Sequence, residues 1–264
     1  MAFPEPAKVL TIAGSDSGGA AGLAADLRTF AALRVYGMGV VTAVTAQNSI
    51  GVKGIEFMSG EFVKAQIDAT LSDYGAQAVK TGFLGRKEIV ESVSAWLHLY
   101  SPSHIIVDPV LVNHKGQAMF PPEVTEAYIH LLFPLAELVM PNRREAELLI
   151  GLAVNTVVEM ETAVTHLHSL GSQNVLLKGG RLGDEMHDMF YDGRTITLLT
   201  SPAIDTANTH GAGDTLSAAA AAFLAMGEGV ETAVSRAHSF THQAIQRAAQ
   251  WQMGQGHGPV WPLE

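Results

Sequence analysis

The chain has 264 residues, 47% of them hydrophobic and 16% charged, which is enough apolar material to bury a substantial core and too much for a disordered polymer. Its formal net charge of -10 argues against broad binding to nucleic acid or an anionic membrane, and an anionic substrate would need a locally positive site. No cysteine is present, which excludes disulfides, thiolate zinc sites and a cysteine nucleophile. The opening segment, residues 1–8, lacks a basic stretch followed by a long apolar core and does not read as a signal peptide. No apolar run reaches membrane-spanning length, since even the alanine-rich stretch after Asp214 stops near Gly227; the reading is a cytoplasmic protein.

Residues 9–13 form a short β-rich run that reads as a buried first strand. A glycine-rich loop is expected over residues 14–22, followed by helical spacing over 23–33, which is the opening of a βα unit. The loop is neither a Walker A sequence nor Gly-x-Gly-x-x-Gly, so taken alone it reads as well as a tight turn as a ligand loop. Residues 40–45 are the second strand, ending in Ala46-Gln47-Asn48-Ser49, where open α/β sheets bind ligands. Gln47 offers a donor and an acceptor to a heterocycle's edge, or caps a loop.

Further helices are predicted over residues 60–73, 87–99, 121–132 and 158–170, and strands over 78–80, 105–108, 138–140 and 175–178. Asn142 followed by Glu145 has the spacing of a capping box for a helix beginning at Arg143. Residues 189–191 and 195–199 flank Asp192-Gly193, a strong hairpin signal. Strands and helices alternate throughout with no linker-like shift, which predicts one domain over residues 1–264 with a mostly parallel sheet covered on both faces. The polar strand ends Gln47, Asp108, Asn142 and Lys178 would then share one edge with the two glycine loops.

The second of those loops organises the rest. Asn208-Thr209-His210-Gly211-Ala212-Gly213-Asp214-Thr215 runs into an alanine-rich helix, the first of two that reach about residue 249. Backbone N–H groups at such a start have no intrahelical acceptor, and together with the helix dipole they attract anions. A carboxylate among them, Asp214, would repel a phosphate unless it has a task. Proton abstraction from a hydroxyl that attacks phosphorus is such a task. Competing constellations are weaker. His238 and His242 have metal-ligand spacing but no His-Glu-x-x-His pattern, and Ser15 and Ser17 lack a Gly-x-Ser-x-Gly elbow.

Ala13-Gly14-Ser15-Asp16-Ser17-Gly18-Gly19-Ala20-Ala21-Gly22-Leu23-Ala24-Ala25-Asp26 resembles the signature of the hydroxymethylpyrimidine and phosphomethylpyrimidine kinases, thiamine-pathway members of the ribokinase superfamily. The resemblance continues through Thr45-Ala46-Gln47-Asn48, Val79-Lys80-Thr81-Gly82, Val107-Asp108-Pro109-Val110, Pro141-Asn142-Arg143-Arg144-Glu145-Ala146, Leu177-Lys178-Gly179-Gly180, the Asn208 to Leu216 stretch and Gly256-His257-Gly258-Pro259-Val260. It implies a ribokinase-like three-layer sandwich, ATP and Mg²⁺ dependence, a homodimer, and phosphoryl transfer to a hydroxymethyl or its phosphate. It implies that Gln47, Ala21, Asp26, Phe83 and Val110 lie at the pyrimidine, that Lys178, Asn142 and Thr209 lie at the nucleotide, and that Asp108 and Glu145 lie at the metal. The amides of Gly211, Ala212 and Gly213 would form the anion hole beside the base Asp214.

Many members of that family carry Cys where this chain has Asp214, whereas sugar and pyridoxal kinases of the superfamily carry Asp. Phe83 stands where the family often has Met, and Ala24 where it often has Gln. A vitamin B6 kinase is therefore the alternative to a pyrimidine kinase, and a ligand-binding protein that has lost the chemistry is a third reading.

Overall fold

The computed structural model describes residues 4–113 and 115–264. Met1, Ala2 and Phe3, which begin the segment read as no signal peptide, and His114 of the polar 113–117 stretch lie outside the described residues. One sheet of nine strands runs through the protein in the order β3-β2-β1-β4-β5-β6-β7-β8-β9. Its parallel centre comprises β1 (Lys8–Asp16), β2 (Tyr36–Asn48), β4 (Ala78–Thr81), β5 (His104–Val107), β6 (Leu138–Val139) and β7 (Asn174–Leu182). Both edges are antiparallel: β3 (Gly51–Phe57) folds back on β2, and β8 (Glu185–Tyr191) and β9 (Ile196–Pro202) extend from β7.

Strand alternation sends side chains to two separate cores. Leu10, Ile12, Val79, Val107, Val139, Val175 and Leu177 face one cluster with α2 (Gly60–Leu71), α3 (Lys87–Tyr100), α4 (Pro122–Ala127), α5 (Arg143–Ile150) and α6 (Val157–Ser169). Val9, Ala78, Ile106, Leu138 and Leu176 face the other, with α1 (Gly22–Ala32), α7 (Ala212–Ala225) and α8 (Val230–Ala248). Helix α7 is buried almost all round, from Thr215 to Ala225. Its alanines explain that position, because small side chains let the helix lie close to the sheet while it also packs on α1 and α8. Among the described residues no helix is long and apolar enough to cross a membrane.

The predicted helices and hairpin are present, and three local expectations change. The first strand does not end before the glycine loop: it continues through Gly14 and Ser15 to Asp16, pairing Ser15 with Val44 and Asp16 with Thr45. The predicted 121–132 helix is α4, which then widens into a π-helical turn at Tyr128–Leu132. Strand β3 was not expected at all; most of it is exposed, so it lacks the burial alternation that marks a half-buried strand.

Candidate active site

The C-terminal ends of the parallel strands gather the polar residues. Asp16, the last residue of β1, accepts hydrogen bonds from the N–H groups of Gly18 (2.8 Å), Ala20 (2.9 Å) and Ala21 (2.9 Å). One carboxylate thus shapes the glycine loop, an Asx-type turn that the Asp-Ser-Gly sequence could have announced. This loop presses against the start of α7. Gly211 caps that helix at φ +81, and a Cβ there would overlap the Ala20 carbonyl oxygen, so only glycine fits. Among the described residues the N–H groups of Gly213 and Asp214 find no protein acceptor, and no side chain caps the helix. The anion-attracting terminus expected from the sequence is therefore open.

Two cavities meet at this terminus. The first, about 380 Å³, lies between the glycine loop, the β2–β3 hairpin and α7, and Ala21, Gln47, Phe83, Val110, His210 and Asp214 all line it. The second, about 320 Å³, lies between β7–β9 and α8, and Asn142, Lys178, Ala212 and Gly213 line it. Neighbouring residues Gly213 and Asp214 therefore face different cavities.

In the first cavity, Phe83 packs between Phe57 and Phe120, with ring centroids 5.9 and 5.5 Å away. Gln47 Nε2 lies 3.0 Å from His210 Nε2, and Thr45 Oγ1 donates to Gln47 Oε1 at 3.4 Å. Which of the two nitrogens donates depends on the imidazole's tautomer. His210 Nε2 is also 3.6 Å from Asp16 Oδ2, tying the ring-facing amide to the glycine loop. Sequence reasoning gave neither Asp16 nor His210 a role.

Beneath the first cavity lies a buried charge cluster. Lys80, with no exposed side-chain surface, places its ammonium 2.8 and 2.9 Å from the two oxygens of Asp26 and 3.3 Å from Asp214 Oδ1. Thr11 Oγ1 donates to Asp26 at 2.5 Å. Burial opposes the charge on Lys80, but Asp26 and Asp214 outweigh it and hold the ammonium protonated well above the usual lysine range. Burial pushes Asp26 up to about 7 against the pull of Lys80. Asp26 corrects an expectation: it is fully buried and does not line the cavity, reaching it only through Lys80 and Asp214.

In the second cavity Lys178 Nζ bonds Asp108 Oδ1 at 2.6 Å, and Ser217 Oγ donates to Asp108 Oδ2 at 2.8 Å. Lys178 also faces the helix terminus, since a Cβ on Gly213 would come 3.5 Å from its ammonium. Glu145 takes part in the predicted capping box, accepting from Asn142 N at 2.9 Å while Asn142 Oδ1 accepts from Glu145 N at 3.0 Å. Burial pushes Glu145 up to about 7, with Lys178 pulling it down and Asp108 adding to the rise. Asp108 and Glu145 are buried and line neither cavity, and protein donors already occupy their oxygens (Lys178 and Ser217 on Asp108, the Leu111 and Asn142 N–H groups on Glu145); as hard carboxylates they are the donor chemistry that suits Mg²⁺ held jointly with phosphates. Among the described residues no group of three metal-binding side chains is found.

The remaining residues sort plainly. His238 Nδ1 pairs with Asp188 Oδ2 at 2.9 Å, and Asp188 Oδ1 accepts from Gly179 N, so that histidine buttresses the wall of the second cavity. Burial and His238 hold His242 below the usual histidine range. Thr209 is exposed and lines neither cavity; its carbonyl accepts from Ala212 N at 3.1 Å and so shapes the turn into α7.

A mostly parallel sheet with helices on both faces, and an open helix terminus between two cavities at its strand ends, defines a ribokinase-like small-molecule kinase. The family model described as phosphomethylpyrimidine kinase matches residues 16–261, and the chain belongs to that family. It is 46% identical to a hydroxymethylpyrimidine/phosphomethylpyrimidine kinase of Rhizobium meliloti over 253 residues, covering 95% of each chain. Among solved structures it resembles the pyridoxal kinase of Staphylococcus aureus in complex with AMP-PCP and pyridoxal, with a TM-score of 0.90 and 36% identity over 98% of this chain and 94% of that one. It also resembles the phosphomethylpyrimidine kinase of Clostridium difficile, with a TM-score of 0.81 and 36% identity over 90% of this chain and 99% of that one.

Proposed function

We propose that this kinase transfers the γ-phosphoryl group of ATP to the hydroxymethyl arm of 4-amino-5-hydroxymethyl-2-methylpyrimidine, or to the phosphate of its monophosphate, in thiamine biosynthesis. The observation that carries the reading is the helix terminus shared between the cavities, with Asp214 on one side and Gly213 and Lys178 on the other. The first cavity takes the acceptor ring: Gln47 meets its heteroatom edge, while Phe83, Val110 and the Ala21 backbone form its walls. The second takes the nucleotide between Asn142, Lys178 and α8.

Asp214 accepts the hydroxyl proton as the oxygen attacks phosphorus. The amides of Gly213 and Asp214 and the Lys178 ammonium hold the transferring phosphoryl, whose charge grows toward those donors, while the Ala212 N–H expected in the anion hole is taken up by the Thr209 carbonyl. Asp108 and Glu145 would hold Mg²⁺, which would supply charge neutralisation at the phosphates. The whole chain works as one domain. A cytoplasmic location and a homodimer complete the proposal; support for the latter is the exposed apolar surface of the β2–β3 hairpin at Val44, Val52 and Ile55.

A vitamin B6 alcohol is the second reading, favoured by the aromatic wall that Phe83 forms with Phe57 and Phe120. Both rings carry a hydroxymethyl group, so the reaction class is the same. Coupled ADP-release assays over the pyrimidine alcohol, its monophosphate and pyridoxal, with and without Mg²⁺, test the proposal through the kcat/KM ratios. A higher kcat/KM for pyridoxal than for either pyrimidine overturns it in favour of the second reading.

A further inference from the structure

We propose that Ser17 is a positioning residue for the acceptor ring, its hydroxyl fixing the main chain of Gln47 and so the amide that meets the heterocycle. The inference rests on the reading of the first cavity as the acceptor site. It comes from a reciprocal pair of hydrogen bonds: Ser17 Oγ donates to the Gln47 carbonyl at 2.8 Å and accepts from the Gln47 N–H at 2.8 Å. One hydroxyl thus meets both polar groups of the Gln47 main chain.

The sheet explains why a side chain is needed there. Strands β1 and β2 pair in parallel as far as Asp16 opposite Thr45, where their ladder ends. At residue 17 the chain leaves the sheet for the glycine loop, turned by the Asp16 carboxylate on Gly18 N and by the Asp16 carbonyl, which accepts from Gly19 N at 2.9 Å. Gln47 lies two residues past the last β1–β2 pair, and its pairing with β3 shifts register between Ala46 and Gln47. On the β1 side the Ser17 hydroxyl, one donor and one acceptor, therefore stands in for a strand residue. Gly18 keeps the loop close to the strand: a Cβ there would lie 3.4 Å from both the Gln47 carbonyl oxygen and Asn48 Cα. Two residues beyond Gln47 the strand is tied again, Ser49 accepting from His257 N at 2.9 Å on its carbonyl and from Gln255 N and Gly256 N at 3.2 Å on its hydroxyl.

Ser17 is exposed and lines neither cavity, whereas Gln47 is half-buried and lines the first. Whatever Ser17 does for the ring is therefore carried by Gln47, and Ser17 has no packing of its own to lose. The far end of the Gln47 side chain is met by His210, at 3.0 Å. With both its main chain and its amide held, Gln47 needs little ordering when a ring arrives, and that saving appears as affinity for the acceptor. Because Ser17 acts through Gln47, removing it can cost no more acceptor affinity than removing Gln47 itself.

The test measures kcat, KM for 4-amino-5-hydroxymethyl-2-methylpyrimidine and KM for ATP on the wild type, Ser17→Ala, Ser17→Thr, Gln47→Ala and the Ser17→Ala/Gln47→Ala double variant, thermal unfolding having shown that each is folded. Ser17→Ala is expected to raise KM for the pyrimidine by about 5-fold, the net worth of about one hydrogen bond, with kcat and KM for ATP unchanged. Ser17→Thr keeps the hydroxyl and should restore the wild-type KM. On the Gln47→Ala background Ser17→Ala should add nothing, because the amide it positions is gone. An unchanged pyrimidine KM in Ser17→Ala overturns the inference, and so does a parallel rise in both KM values or an effect that multiplies in full with that of Gln47→Ala. Each of these leaves the acceptor-site reading standing so long as Gln47→Ala alone raises the pyrimidine KM. If Gln47→Ala leaves that KM unaltered, both fail.

Discussion

The ammonium of Lys80 lies 3.3 Å from Oδ1 of Asp214, joining a lysine with no exposed side chain to a carboxylate that opens on the cavity above it. Lys80 reaches Asp214 from the end of β4, and Asp26 on α1 fixes the far side of the ammonium. The catalytic carboxylate is therefore oriented from below, by groups that do not themselves touch the cavity. Removing the cation by Lys80→Met should lower kcat by about 10²-fold, the lower end of what a general base contributes. It should also lower stability by up to about 3–5 kcal/mol, because the buried Asp26 loses its cationic partner and must stay unpaired or take up a proton. Adding Asp26→Asn should recover most of the thermal stability and little of the turnover, a split that parallel calorimetry and kinetics would resolve.

The same ion cluster predicts a response to alkali. Lys80 is held protonated above its unfolded value by Asp26 and Asp214, so between about pH 10.4 and its higher folded value the native chain holds a proton that the unfolded chain has released. The stabilisation is complete below that window and is lost as pH rises through it. Urea unfolding from pH 8 to 11 should show a steeper decline for the wild type than for Lys80→Met/Asp26→Asn. Equal slopes would mean that the cluster is not ionic.

Two glycines in the helix start should behave differently. Gly211 combines φ +81 with a clash against the Ala20 carbonyl, so Gly211→Ala should cost about 2 kcal/mol or more in stability and separate the glycine loop from α7. A Cβ on Gly213 meets only the Lys178 ammonium, at 3.5 Å, and alanine is the better helix former. Gly213→Ala should therefore leave the melting temperature unchanged or raised, while raising KM for ATP through crowding of the phosphate-facing terminus.

Gln47 is held by Thr45 and His210 on the acceptor side and has no contact with the second cavity's lining. Its replacement by alanine should raise KM for the pyrimidine by roughly 10-fold, the loss of one or two hydrogen bonds to a ring, and leave KM for ATP unaltered. A parallel rise in both constants would argue against separate acceptor and nucleotide cavities.

Much of the candidate site was legible because strand ends and helix starts are local events. Gln47, Asn142, Lys178 and the residues around Gly211 each follow an apolar run or precede a helical one, and parallel strands bring such positions to one edge whatever their distance in sequence. What escaped was non-local. Lys80 and Asp26 are 54 residues apart, and Lys80 and Asp214 are 134 apart, so no periodicity links them. The family resemblance places Asp26 at the pyrimidine; one helical turn beyond the loop, its side chain instead points into the sheet. Strand β3 was missed for the opposite reason: an exposed edge strand has hardly any buried face to leave a pattern.

The most direct test of the account is the turnover of Asp214→Asn with the pyrimidine alcohol, set beside calorimetric binding of that alcohol to the same variant. Asparagine keeps the shape and removes the base, so kcat should fall by about 10²–10⁴-fold while the dissociation constant changes little. Turnover close to that of the wild type would contradict the assignment of Asp214 as the group that takes the hydroxyl proton.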